Sequence, residues 1–153
     1  MAIKRLIWGV KQSFRAYVEG SGGTIAVSDG AGRADDGTFA FEAADDSDLA
    51  FGADGTLSGV GRFRGQVAFK AHGGMLSVTL TDPWVEATDA GLVLSVAETA
   101  ARRTAIAKLD TAALAPAADG TAELPAVITL DGMTIVGDHY PPGTPLDPVR
   151  LQG

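Results

Sequence analysis

The sequence predicts an all-β domain, a mostly antiparallel sandwich or irregular barrel, with a short helix near its N-terminus. Three observations carry that prediction. Twenty glycines and seven prolines in 153 residues place turn signals at short intervals. Between them run short segments that alternate apolar and polar side chains, Thr38–Glu42 and Arg62–His72 among them, the period of a half-buried strand. One segment, Val10–Val18, instead carries apolar residues at i, i+4 and i+8.

In chain order, Gly9 precedes that helix. The helix would bury Val10, Phe14 and Val18 and set Ser13 and Tyr17 one turn apart on another face, before Gly20, Gly22 and Gly23 end it. Thr24–Ser28 reads as a strand closed by the Asp29-Gly30 turn, and Thr38–Glu42 as a strand with Phe39 and Phe41 on one face. Asp45-Asp46-Ser47-Asp48 reads as a solvated turn, because it lacks the ligand and glycine spacing of a calcium loop. Asp54-Gly55 is a further turn signal. Arg62–His72 reads as one long strand with Phe63, Val67, Phe69 and Ala71 on one face and Arg62, Arg64, Gln66, Lys70 and His72 on the other. Gly73-Gly74 turns the chain, Met75–Thr81 returns as the hairpin partner, and Asp82-Pro83 ends it. Trp84–Glu86 and Gly91–Ala97 make a further pair. Residues 98–118 fit either a helix or a strand of small residues. Val127–Leu130 and Met133–Val136 flank Asp131-Gly132, and the proline-rich end through Val149 is rigid and extended.

Composition bounds the function. With 46% hydrophobic and 20% charged residues the chain is globular, and its length fits one domain, 1–153. A net charge of −7 argues against nucleic acid. No apolar run reaches the roughly 18 residues of a membrane span. The absence of cysteine removes disulfides, thiolate metal sites and a cysteine nucleophile. The basic start is interrupted at Trp8–Lys11, so it does not read as a signal peptide and leaves a cytoplasmic location open. No phosphate loop, nucleophile elbow or His-Glu-x-x-His motif is present. The two histidines, His72 and His139, and the two tyrosines, Tyr17 and Tyr140, are the distinctive polar groups. On the residues alone, each histidine reads as a strand-end or loop side chain with no ligand.

Three blocks run in order: Trp8-Gly9-Val10-Lys11-x-Ser13-Phe14-Arg15-x-Tyr17, then Ala71-His72-Gly73-Gly74-x-Leu76 leading into Asp82-Pro83, then Tyr140-x-x-Gly143-Thr144-x-Leu146-Asp147-Pro148-Val149. Together they resemble the heme-transport-associated (HtaA) domain family from about Leu6 to Leu151. The resemblance implies a β-sandwich with one or two short helices and favours a strand over residues 103–109. It also implies a non-enzymatic domain that captures or carries ferric heme b. Tyr17 would be the metal ligand, His72 its hydrogen-bond partner, and Ser13 and Tyr140 residues beside the porphyrin. A phenol, whose ordinary pKa is near 10, needs a ferric ion and a donor to serve as a ligand near neutrality. Arg62, Arg64 and Lys70 are candidates to meet the heme propionates. The implied partners are heme and another heme-carrying protein, and the implied location is the cell surface or outside the cell. Two alternatives stand beside this reading. One is an enzyme or carrier for another flat apolar molecule, with Tyr17 and His72 as a proton-transfer pair. The other is an adhesive or structural β-domain.

Overall fold

The computed structural model describes residues 2–53, 56–89, 91–113, 115–116, 121–136 and 140–153; His139 and the Asp54-Gly55 turn lie outside these. The all-β expectation holds. Strands β1 (Arg5–Trp8), β2 (Thr24–Ser28), β3 (Gly32–Arg33), β4 (Phe39–Ala43), β5 (Ala50–Phe51) and β6 (Leu57–Ser58) are followed by β7 (Gly61–Arg64), β8 (Gln66–Ala71), β9 (Leu76–Thr81), β10 (Trp84–Thr88) and β11 (Gly91–Thr99). Then come β12 (Arg102–Leu109), β13 (Ala115–Pro116), β14 (Thr121–Ile128) and β15 (Pro145–Gln152). Two short helices interrupt them, α1 (Gln12–Gly20) and α2 (Leu130–Val136).

The main sheet curls until it closes. Its order runs β1-β15-β14-β12-β11-β10-β7-β4, and β4 pairs back onto β1. Arg5 therefore faces Gln152 on one side and Glu42 on the other. Each of these eight strands therefore has a neighbour on both sides. Leu6, Trp8, Phe39, Phe63, Leu94, Ile106 and Leu151 fill the interior, each at most 2% exposed. The ambiguous stretch after residue 98 resolves as β12, a strand paired on both sides.

A second, three-stranded sheet, β2-β8-β9, carries α1. The Phe14 ring of α1 lies 5.0 Å from that of Phe69 on β8, and Phe69 meets Phe39 of β4 edge-on at 5.7 Å. This row of aromatics ties the helix through the small sheet to the barrel. Burial of Phe14 alone contributes about 2–3 kcal/mol.

Two expectations are corrected. The long strand Arg62–His72 is two strands in two different sheets, divided at Gly65 (φ +142°), where the backbone passes against Ala31 too closely for a Cβ. Asp82 bridges the break: its Oδ1 accepts from the Gly65 N–H at 3.0 Å and its own N–H donates to the Gly65 carbonyl at 2.8 Å. Asp131-Gly132, read as the link between two apolar runs, lies inside α2 together with the second of them. Thr129 Oγ1 accepts from the Gly132 N–H at 2.9 Å, which caps the helix, and a Cβ at Gly132 would strike the Ile106 carbonyl. Glycine is there because α2 packs directly onto β12.

Candidate functional site

The N-terminal end of α1 is held from the far end of the chain. Its cap residue, Lys11, makes no side-chain cap bond. Asp147, in β15, supplies the missing acceptor: Oδ1 takes the Gln12 N–H at 3.0 Å, and Oδ2 takes Arg15 Nη1 at 2.6 Å. Arg15 is buried and also donates to the Gly9 carbonyl at 2.7 Å, while Trp8 Nε1 donates to the Asp147 carbonyl at 2.7 Å. A Cβ on Gly9 would fall on Arg15 Nη1 and Asp147 Oδ2. Val10 is buried as expected but sits at φ +65°, so the helix begins two residues later than its apolar spacing suggests.

The C-terminal end is held as firmly. Gly23 donates to the Val18 carbonyl at 2.9 Å, and a Cβ there would strike that carbonyl and the Lys70 carbonyl of β8. Arg33 hydrogen-bonds Glu19 at 3.0 Å and holds its carboxyl below the ordinary glutamate range. Phe14 and Val18 face inward, which leaves Ser13 and Tyr17 on the exposed side.

Against that side stands the tip of the β8–β9 hairpin. Tyr17 Oη and His72 Nε2 are 2.6 Å apart, with the rings 5.6 Å between centroids. Strand alternation puts His72 on the face opposite Phe69 and Ala71, yet α1 packs on the Phe69 side. A left-handed turn reconciles the two. His72, Gly73 and Gly74 have φ of +54°, +66° and +95°, and this run swings the imidazole round to the helix. Two glycines bear most of the conformational cost, since each visits that region freely. The tyrosine is 48% exposed and Met75, next in the turn, 91%. A shallow cavity of about 180 Å³ opens beside the turn, lined by Gly23, Thr24, Lys70, His72 and Gly74.

Tyr140 lies half-buried, its ring edge-on to Phe14 at 6.3 Å and under Lys11 Nζ at 5.6 Å. The four candidate residues thus divide: Tyr17 and His72 touch, Ser13 stands one turn away on the same helix, and Tyr140 packs on that helix from its other end. Of the three candidate cations, only Lys70 lines the cavity with His72. Arg62 stacks on Trp84 at 5.0 Å and donates to the Asp46 carbonyl, and Arg64 pairs in register with Glu42. The roles of Arg15, Gly9 and Asp147 were not legible in advance, although all three fall in the first and third blocks that carry the resemblance. Among the described residues, no cluster of three or more His, Asp or Glu side chains forms a metal site.

Fold and site together define a closed β-barrel domain that presents a phenol on a helix strapped to its side against an imidazole from a hairpin turn. The sequence profile of the HtaA family, described as Htaa, matches residues 4–152, and the chain belongs to that family. Among solved structures it is similar to the C-terminal domain of HtaA from Corynebacterium glutamicum (25% identity, 98% of this chain and 96% of that one, TM-score 0.69). The N-terminal domain of the same protein shares 23% identity over 99% and 98% of the two chains, with TM-score 0.74. The heme-binding protein HtaB of that organism shares 19% over 98% and 91%, with TM-score 0.71. Comparison with curated protein sequences gives no match.

Proposed function

We propose that this domain binds ferric heme b without transforming it, with the Tyr17 phenolate as iron ligand and His72 as its support. The carrying observation is the 2.6 Å contact between two exposed side chains, a phenol and an imidazole, set there by a helix pinned at both ends. Membership of the HtaA family and the likeness to a heme-binding protein of the same fold support the ligand class.

The residues suit the group. Tyr17 Oη keeps lone-pair capacity beyond the bond to His72, and it is open to solvent. Met75 adds exposed apolar surface in the same turn. Ferric heme supplies an iron centre for which phenolate is a known axial ligand. While Tyr17 is protonated, its O–H donates to a bare Nε2. Once that proton leaves, an imidazole carrying hydrogen on Nε2 donates to the phenolate and holds its charge and direction. Ser13, one turn back along α1, and Tyr140, packed against Phe14 and Lys11, extend the face toward the N-terminal end of the helix. Because the pair lies at the surface and not in an enclosed cavity, exchange of heme with another carrier protein belongs to the same reading.

Hemin titrated into the apo-protein is expected to give a ferric phenolate absorption spectrum. Tyr17→Ala is expected to abolish that spectrum and weaken binding strongly, and Tyr140→Ala to weaken it less. A Tyr17→Ala protein that kept the parent spectrum would overturn the ligand assignment.

A further inference from the structure

The N-terminal end of α1 holds a cation that the fold does not neutralise. Lys11 Nζ donates to the Pro145 carbonyl at 2.8 Å and sits over the Tyr140 ring at 5.6 Å, so its position is fixed. No carboxylate pairs with it among the described residues. Asp147, the acid that caps this end of the helix, has both oxygens engaged, one by Gln12 N–H and one by Arg15. Arg15 and Asp147 cancel, which leaves Lys11 as the net charge, reinforced by the positive end of the helix. The carbonyl and the ring take up only part of an ammonium group with three donors.

Lys11 precedes Tyr17 by six positions, about 9 Å along a helix rising 1.5 Å per residue. Tyr140, which the proposed function sets beside the porphyrin, lies under Lys11 and packs its ring edge-on to Phe14 of the same helix. An anionic edge some distance from the atom that Tyr17 holds would therefore meet a fixed positive charge at this end of the helix.

We propose that Lys11 is a specificity-determining residue that selects ligands bearing a carboxylate at their edge over uncharged macrocycles of the same shape, by pairing with a heme propionate. This rests on the heme reading above and adds a residue and a chemical requirement to it. It also explains why an acidic chain, of net charge −7, can take an anionic ligand at this face.

The test compares hemin with hemin dimethyl ester, which lacks the propionate charges, on the parent protein and on Lys11→Met. The substitution keeps the chain length and removes the charge. Hemin affinity is expected to fall about fivefold in Lys11→Met, the scale of a partly exposed ion pair, while the ester binds both proteins equally. Lys11→Arg should restore hemin binding, and the hemin affinity of the parent should fall with added salt more steeply than that of Lys11→Met. Equal losses for hemin and ester, or no loss for either, would overturn the proposal. Failure of the heme reading shows separately, as hemin binding that does not depend on Tyr17.

Discussion

The two ends of α1 are held by opposite principles. At the N-terminal end of α1 the buried Arg15 and the half-buried Asp147 join the Gly9 carbonyl, the Gln12 N–H and Trp8 Nε1 in one connected network. At the His72–Met75 turn the side chains stand in water, the backbone is left-handed from His72 to Gly74, and the Tyr17–His72 hydrogen bond joins the turn to the helix. The first region spends its chemistry on holding the helix still. The second leaves its chemistry available. A ligand-binding pair needs both, because an exposed tyrosine directs its oxygen only if the helix beneath it cannot turn.

That contrast breaks most visibly at Asp147. Asp147→Ala leaves a buried guanidinium and the Gln12 N–H without their acceptor, a loss of about 3 kcal/mol by the cost of breaking a buried ion pair. Thermal or urea unfolding reads it, and hemin affinity measured well below the melting temperature should change far less than stability does. Unchanged stability would mean that the network does not hold the helix.

The turn should show the reverse pattern. At Gly73 a Cβ would meet only open space, so Gly73→Ala adds no clash and costs about 1 kcal/mol through backbone strain alone. Hemin binding should suffer more than stability, because the strain falls on the residues that aim His72. Equal insensitivity of both would show that the imidazole does not need the left-handed turn.

Much of the frame was legible in the residues. The buried faces of β4 and β8, the glycine-rich end of α1 and the hairpin at Gly73-Gly74 all follow from period and turn chemistry. What escaped was set by long-range contact. The alternation of Arg62–His72 runs unbroken through Gly65, so nothing local marks the point where the strand changes sheets. Asp131-Gly132 looks like a link between two apolar runs, and only the closeness of Ile106 explains a glycine within a helix. Alternation also assigned His72 to the wrong side, since three left-handed residues reverse the rule at the position that matters most. Arg15 and Asp147 lie 132 positions apart in sequence, and no spacing argument joins them.

The proposed function makes Tyr17 and His72 one unit toward a ferric ligand, and a double-mutant cycle on hemin affinity tests that coupling most directly. His72→Ala alone should weaken binding roughly 10–100-fold, the usual effect of losing a partner that supports a metal ligand, while costing only about 1 kcal/mol in stability. In a Tyr17→Ala background the same substitution should have almost no further effect, because the bond it removes is already gone. Losses that simply multiply through the cycle would show that the two side chains, 2.6 Å apart, serve the ligand independently or not at all.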